Sequence, residues 1–186
     1  MSRLSAHSTP ISGLQLIERH PKTDSRGSFS RMFCQQTLAP FLHGKSIRQV
    51  NKTLTDQEGT VRGMHFQYPP HSETKIVTCL RGAVCDVAVD LREGSPTFLL
   101  HHVVCLSETN HFSLLIPEGF AHGFQTLAPN CEMLYFHTAD YRADAEGALN
   151  VLDPKLAINW PRDVTAISER DKQHPFLAGD FRGVAI

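Results

Sequence analysis

Short, largely hydrophobic runs recur along this chain, and residues 47–53 alternate with the period of two that is typical of a strand. Turn residues such as Gly, Pro, Asn, Asp and Ser separate these runs, which are spaced ~8–12 residues apart, as expected for strands joined by turns. The pattern predicts strands over residues 13–20, 28–33, 47–53, 76–80, 84–91, 99–106, 113–116, 121–126 and 132–138, and a further strand beginning at residue 61. Because strands and helices do not alternate, we predict an all-β, jelly-roll-like barrel whose mouth holds the ligand.

Two short helices are expected outside the strands. One covers residues 35–42 and is interrupted at Pro40, and the other covers residues 168–173 with Ser168 as its N-cap. Residues 1–10 are polar and are expected to be loose. We therefore predict a single domain over residues 1–186, with its core at about residues 11–178.

Composition narrows the class of protein. The net charge is −1 with charges of both signs mixed along the chain, so nothing predicts a nucleic-acid or membrane partner. The apolar runs are too short to span a bilayer, and no signal-peptide pattern is expected at the N-terminus. The five cysteines are odd in number and lack C-x-x-C spacing, which fits reduced thiols in a cytoplasmic protein.

The segment 59–67 carries the most informative chemistry, because it combines Arg62 and His65 with apolar residues and is followed by Lys75. Charged groups in such a segment are costly unless they have a function. We interpret His65 as a catalytic base and Lys75 as a fixed positive charge that faces the same substrate. Gly63 removes a side chain beside them, which indicates that a ligand or another backbone comes close.

Residues 116–122 resemble the second metal motif of the cupin superfamily, P-x-G-x-x-H, which ends here at His122. The first cupin motif would supply H-x-H and a carboxylate, but this chain has Gln67 in place of the second His and Lys75 in place of the carboxylate. A protonated Lys has no lone pair for a metal. We therefore predict a cupin-like barrel without a metal, and a positively charged pocket that suits an anionic or enolate-forming substrate.

Such a pocket suits proton removal next to a ketone, since an ammonium group stabilises the oxygen that becomes negative. A neutral His takes the proton, and a different acid must return it from the opposite face to invert the carbon. Tyrosine is a plausible acid, and Tyr68, Tyr135 and Tyr141 are the three in the chain.

Collinear motifs over about residues 11–178 closely resemble the dTDP-4-dehydrorhamnose 3,5-epimerases. These motifs are Asp24–Gly27, Gln49 with Asn51, Val61–Gln67, Lys75, Asp86–Arg92, Ser95–Phe98, Ile116–Phe124, Leu134–Tyr135, Asp153–Pro154, Ile158–Pro161 and Ser168–Asp171. The match is specific because no single short motif carries it.

The resemblance implies His65 as the base, held by Asp171, with Tyr135 as the acid on the opposite face and Lys75 at the enolate oxygen. It also implies six substrate-binding residues, namely Arg26, Gln49, Asn51, Arg62, His122 and Tyr141. The family is cofactor-free, cytoplasmic and dimeric. Its substrates are nucleotide-linked sugars with a ketone at C4, which acidifies the protons at C3 and C5.

Three departures from the family pattern fall on the nucleotide side: Arg31 replaces a carboxylate, Phe136 replaces a Lys, and Val151 replaces an aromatic residue. We therefore keep open a different nucleotide or sugar, or inversion at C3 or C5 only. A metal-binding cupin enzyme and a non-catalytic sugar-binding cupin are the alternatives from other classes.

The remaining residues of chemical interest are expected to be structural. Asp86 and Asp90, in an apolar strand, should pair with buried cations or backbone. The other nine histidines, His137 and His174 among them, are interpreted as ordinary core or surface residues.

Overall fold

The computed structural model describes residues 3–186, so the first two residues of the segment expected to be loose lie outside the described residues. The strands are β1 Leu4–Ser8, β2 Gln15–Arg19, β3 Lys22–Asp24, β4 Gly27–Phe29, β5 Gln49–Thr55, β6 Val61–Gln67, β7 Lys75–Arg81, β8 Ala83–Asp90, β9 His101–Ser107, β10 Phe112–Ile116, β11 Phe120–Thr126, β12 Cys131–His137 and β13 Glu146–Ala148. The helices are α1 Gln35–Leu42 and α2 Glu169–Lys172, with a 3₁₀ turn at Ala143–Ala145. No helix in this part of the chain is long and apolar enough to cross a membrane.

The strands form two facing sheets. The first has six strands in the order β1-β2-β10-β7-β12-β5, and the second has five in the order β13-β6-β11-β8-β9. The pairings within both sheets are antiparallel. Strands β3 and β4 form a separate, exposed hairpin. The predicted all-β, cupin-like jelly roll is confirmed.

The main core fills the space between the sheets. Val77 and Leu114 of the first sheet are buried together with Ala88 and Phe124 of the second. Burying each large apolar side chain contributes about 1.5–3 kcal/mol, so this layer holds the two sheets face to face.

The outer face of each sheet is also covered. Helix α1 buries Leu38 and Leu42 against Ile76 of the six-stranded sheet. The segment after β13 packs on the five-stranded sheet, where Leu156 is buried with Val87. Double coverage explains why β8 is apolar on both faces rather than alternating.

Four elements differ from the sequence prediction, and one of them is β3, since residues 22–24 were not predicted to form a strand. Residues 4–8 form the edge strand β1, paired with β2, although only Leu4 is buried and so little hydrophobic signal marks it. The strand predicted over residues 28–33 is limited to β4, because this hairpin is exposed and residues 30–34 lead into α1. Strand β13 was missed because its three residues are only half-buried and carry no alternation.

Gly63 permits the close contact of β6 with β11 that sets His65 opposite His122. Its φ is +132°, and a Cβ there would lie 2.5 Å from the Cα of Gly123 and 2.9 Å from the carbonyl oxygen of His122. The expectation that another backbone approaches Gly63 is therefore confirmed.

The Gly63→Ala variant should be destabilised by about 2–3 kcal/mol, because backbone atoms must move to admit the methyl group. The matched control is Gly27→Ala: Gly27 has nearly the same φ, +128°, but nothing lies within 4 Å of its Cβ position. Urea unfolding of both variants measures the difference. An equal loss in the two would show that the dihedral angle, and not the contact with Gly123, requires glycine at position 63.

Candidate active site

A cavity of about 710 Å³ opens between the two sheets at one end of the barrel. Strands β5, β7 and β12 line one wall, β6 and β11 line the other, and residues 166–171 close one side. Nine of the ten residues predicted to form the site line this cavity: Gln49, Asn51, Arg62, His65, Lys75, His122, Tyr135, Tyr141 and Asp171. The tenth, Arg26, does not.

His65 and Asp171 form a hydrogen-bonded dyad at this cavity, with 2.8 Å between Nε2 of His65 and Oδ1 of Asp171. Ser168 caps α2 by accepting a hydrogen bond from the backbone N–H of Asp171, as predicted, and this cap fixes the start of the helix that carries the carboxylate. The backbone N–H of Gly63 donates to the other carboxylate oxygen at 3.4 Å. Burial alone would raise the pKa of Asp171, but the hydrogen bond and charge of His65 outweigh it and hold that pKa below its ordinary value.

The dyad determines which nitrogen of His65 can act as a base. An ionised carboxylate only accepts hydrogen bonds, so Nε2 of His65 must carry the hydrogen that Asp171 accepts. Nδ1 is then the nitrogen with a free lone pair in the neutral ring. The imidazole side chain is 24% exposed, so a ligand in the cavity can reach it.

A second histidine, His174, approaches the same oxygen of Asp171, with its buried Nε2 3.9 Å from Oδ1 and without a hydrogen-bond partner within residues 3–186. The donor atoms of His65, Asp171 and His174 all lie within 4.8 Å of one another, a spacing compatible with metal ligation. The guanidinium of Arg170 lies 3.2 Å from Nε2 of His65 and 3.5 Å from Oδ1 of Asp171, and its charge opposes a cation there. The expected absence of a metal stays a prediction.

On the opposite wall, Lys75 is held by two acceptors. Its Nζ lies 3.1 Å from Oε1 of Glu73 and donates to the backbone carbonyl of His65 at 3.4 Å. Oε2 of Glu73 accepts a hydrogen bond of 2.8 Å from Nδ1 of His137. Although burial of Glu73 would raise its pKa, the hydrogen bond from His137 and the charge of Lys75 hold that pKa below its ordinary value.

Glu73 and His137 were missed by the sequence analysis, which interpreted His137 as an ordinary residue. A signal was present, because His137 follows Tyr135 by two residues on one alternating strand and therefore shares its face. In the structure both line the cavity.

Tyr135 lies between two histidine rings, with ring centroids 6.3 Å from His122 and 6.1 Å from His137. Its hydroxyl is 3.4 Å from Oγ1 of Thr53. Burial raises the pKa of Tyr135 above its ordinary value, so the phenol is protonated at neutral pH. His122 is itself fixed by Asp86, whose two carboxylate oxygens lie 3.0 and 3.1 Å from Nε2 of His122.

The outer part of the cavity is lined by polar side chains in fixed positions. Oε1 of Gln49 accepts a hydrogen bond from the backbone N–H of Tyr141 at 3.0 Å. The hydroxyl of Tyr141 donates to Glu146, which also binds Arg170. Nε of Arg62 donates to Oγ1 of Thr55 at 2.9 Å.

The side chain of Gln67, which stands where a metal-binding cupin has its second His, makes hydrogen bonds to backbone groups. Its amide donates to the carbonyls of His71 and Asp140, and its Oε1 accepts from the N–H of Arg142. Gln67 thus holds the loop after β12 in place beside the cavity.

Arg26 lies outside the cavity, in the exposed β3–β4 hairpin. Its guanidinium is paired with Asp24, with 2.7 Å between Nη2 and Oδ2, and its side chain is 87% exposed. A separate surface depression contains both residues together with Arg3. One chain alone therefore does not bring Arg26 to the other predicted site residues.

The three departures from the family pattern lie away from the cavity lining. Phe136 stacks on Phe33 under α1, with ring centroids 5.5 Å apart. Val151 is buried on the outer face of the five-stranded sheet, and Arg31 is exposed. Phe136 and Val151 therefore serve packing.

Comparison with known proteins identifies the family. The model of the dTDP-4-dehydrorhamnose 3,5-epimerase family matches residues 8–179. The dTDP-4-dehydrorhamnose 3,5-epimerase of Sinorhizobium fredii is 41% identical over 171 residues, which cover 91% of this chain and 88% of that protein.

Solved structures agree with this result. The dTDP-4-dehydrorhamnose 3,5-epimerase of Bacillus anthracis, with TDP and PPi bound, is 36% identical and superposes with a TM-score of 0.89 over 94% of this chain and 99% of that one. The dTDP-6-deoxy-D-glucose-3,5-epimerase of Legionella pneumophila, in complex with dTDP-4-keto-L-rhamnose, is also 36% identical, with a TM-score of 0.87 over 93% of this chain and 92% of that one. The chain therefore belongs to the dTDP-4-dehydrorhamnose 3,5-epimerase family.

Proposed function

We propose that this protein epimerises a nucleotide-diphosphate-linked 4-keto-6-deoxy hexose at C3 and C5, most simply the dTDP-linked sugar. The observation that carries the proposal is the His65–Asp171 dyad on one wall of the cavity, with Lys75 and Tyr135 on the other. This set contains a base, a cation and an acid, which are the groups that inversion next to a ketone requires.

In the proposed reaction, Nδ1 of His65 takes the proton from the carbon next to the C4 ketone. The electron pair of the broken C–H bond moves onto the C4 oxygen, where the Lys75 ammonium stabilises the negative charge. Asp171 keeps His65 in the correct tautomer and stabilises the imidazolium that forms. Tyr135 then delivers a proton to the opposite face of the same carbon, and the ketone forms again.

This chemistry needs neither a cofactor nor a metal, because the ketone itself acidifies the neighbouring C–H bonds and Lys75 supplies the positive charge. Lys75 occupies the position of a metal-binding carboxylate in other cupins, and the side chain of Gln67 is hydrogen-bonded to backbone groups. We accordingly propose that the reaction is cofactor-independent.

The nucleotide diphosphate is proposed to occupy the outer part of the cavity, bound by Gln49, Asn51 and Tyr141, while Arg62 and His122 line the site of the sugar and phosphate. Arg170, half-exposed at the edge of the cavity, adds a positive charge for the phosphates. Arg26 lies outside this cavity, so its proposed contact with the diphosphate requires the hairpin of a second copy.

We therefore propose a homodimer. A monomer observed by sedimentation of the purified chain at assay concentration would contradict this proposal.

A cytoplasmic location is proposed as well. It is supported by the five cysteines, which are all free thiols in the structure, as expected in a reducing compartment.

Incubation of the enzyme with several nucleotide-linked 4-keto-6-deoxy sugars in D2O tests the function. We expect deuterium to appear at C3 and at C5 of the preferred substrate, because each carbon loses a proton to His65 and regains one that exchanges with solvent. Absence of exchange with every sugar would contradict the epimerase proposal. Exchange at one carbon alone would identify a mono-epimerase, and the preferred nucleotide would be identified by the same screen.

A further inference from the structure

A further histidine–carboxylate pair, His137 with Glu73, faces the cavity from the wall opposite His65. His137 lies on β12 of the six-stranded sheet, and His65 lies on β6 of the five-stranded sheet. We propose that His137, oriented by Glu73, is a further catalytic residue that donates the proton to one of the two inverted carbons, while Tyr135 serves the other. This inference rests on the proposed epimerase function.

The bond to Glu73 leaves one nitrogen of His137 available for the substrate. Nδ1 of His137 carries the hydrogen that Glu73 accepts at 2.8 Å. Nε2 makes no hydrogen bond to any of residues 3–186, and the side chain, 12% exposed, lines the cavity. A ligand in the cavity is thus the natural partner for Nε2.

His137 and Glu73 repeat the histidine–carboxylate arrangement of His65 and Asp171. The carboxylate of Glu73 stabilises an imidazolium through the hydrogen bond from Nδ1 of His137, as Asp171 does through the bond from Nε2 of His65. Lys75, which is bonded to the other oxygen of Glu73, and the neutral Tyr135 hydroxyl are the other titratable groups beside this pair. Glu73 is therefore a positioning residue for both Lys75 and His137.

Tyr135 and His137 act on the same side of the sugar. They are two residues apart on one strand, with rings nearly parallel, 6.1 Å between centroids and 18° between planes. His137 is also directly opposite Lys75 in the register between β12 and β7. If Lys75 holds the C4 oxygen, C3 and C5 point away from C4 in different directions, and two donors offset along the strand can each reach one of them.

The proposed step conserves protons and electrons. His65 takes the proton from the carbon, and the C–H electron pair moves onto the C4 oxygen as the enolate forms. The enolate carbon then forms a new C–H bond with the Nε2 proton of His137, the N–H electrons stay on Nε2, and the ketone returns. His137 becomes neutral and His65 protonated, and exchange of one proton with water at each ring restores the starting state.

The test is the rate at which deuterium appears with inversion at C3 and at C5, measured by NMR in D2O. The His137→Asn variant keeps an N–H that can donate to Glu73 but lacks Nε2. We expect its rate to fall by about 100-fold at one carbon while the other stays within about threefold of wild type. Tyr135→Phe should show the complementary loss.

The Glu73→Gln variant keeps an acceptor for Nδ1–H but removes the charge, so we expect a smaller loss, about tenfold, at the carbon that His137 serves. A purely structural role would lower both rates together. His7→Asn is the control for a histidine–carboxylate pair outside the cavity, since His7 pairs with Glu18 on the surface. A second substitution at the same position, His137→Gln, should show the same loss as His137→Asn. Thermal unfolding of each variant then excludes a folding defect as the cause.

Equal losses at both carbons in His137→Asn, or no loss, would overturn the inference and leave the epimerase function standing. A wild-type enzyme that inverts a single carbon would overturn the division between two donors. A wild-type enzyme that exchanges neither carbon would overturn the proposed function and this inference with it.

Discussion

The His65→Asn variant is expected to lose at least about 10³-fold in the rate of deuterium exchange, at C3 and C5 alike. Asn offers no group that can accept a proton from carbon, and both carbons depend on the same base in the proposed mechanism. The loss should appear in kcat, because His65 acts on the reacting atoms and contributes little to holding the nucleotide. NMR in D2O measures it, and titration with the nucleoside diphosphate measures binding.

The Asp171→Asn variant separates the two parts of the dyad. Its amide can donate to Nε2 of His65, which would favour the tautomer with the hydrogen on Nδ1 and remove the lone pair from the nitrogen proposed as the base. We expect a loss of about 10²–10⁴-fold with unchanged nucleotide binding. The control is His7→Asn, at a surface pair, which should keep full activity. If the His65→Asn variant exchanged deuterium at the wild-type rate, a group other than His65 would be the base.

The Asp90→Asn variant should lose about 3 kcal/mol of unfolding free energy, because it breaks a buried ion pair without removing the cation. Asp90 is fully buried at the end of β8 and accepts hydrogen bonds from the guanidinium of Arg92, the backbone N–H of Arg92, and the hydroxyls of Ser95 and Thr97. Arg92 in turn donates to the carbonyl of Ser12 and lies 4.7 Å from the centre of the Phe120 ring. The carboxylate thus orders the turn after β8, as expected from the sequence for a buried Asp paired with a cation.

The chain contains a matched control for this prediction. Asp24 and Arg26 repeat the same i, i+2 arrangement, with Oδ1 accepting from the backbone N–H and Nε of Arg26 and Oδ2 accepting from Nη2, but on an exposed hairpin. Asp24→Asn should change stability little, since water screens the pair. Urea unfolding of both variants measures the difference, and equal effects would show that burial is not what makes the Asp90 pair important.

The effect of Asp90 should depend on pH in a definite direction. Burial opposes ionisation, but the hydrogen bonds from Arg92, Ser95 and Thr97 outweigh it and lower the pKa of Asp90 from 3.8 to about 2. A lowered pKa in the folded state stabilises the fold above pH 3.8, and the contribution is lost as the pH falls toward 2. The pKa difference corresponds to about 2 kcal/mol, so the gap between wild type and Asp90→Asn should narrow over this interval.

The sequence predicted the barrel because short runs of strand-forming residues are separated by turn residues, whether a strand buries one face, as β2 does, or both, as β8 does. It did not predict β1, since a strand with one buried residue forms through pairing with β2 and not through its own pattern. The close approach at Gly63 was predictable because a glycine inside a strand gives up side-chain packing, a loss that is offset where another backbone or a ligand needs the space.

The site was only partly predictable for a similar reason. His65 and Lys75 stand in one short stretch, whereas Asp171 comes 106 residues after His65 and was linked to it only through the family resemblance. Glu73 and His137 were missed because their pairing depends on the register of β7 with β12, which local sequence does not encode. Arg26 points to a further limit, since one chain does not bring it to the cavity and its proposed role depends on the proposed second copy.

The dyad joins a strand of the barrel to a segment that lies outside it. Every barrel strand is complete by residue 148, whereas Asp171 belongs to the tail that packs against the outer face of the five-stranded sheet. During synthesis His65 is therefore made early and Asp171 late, so the dyad can form only after the tail has been made. Packing of the tail on the sheet is thus what brings the carboxylate of Asp171 to His65.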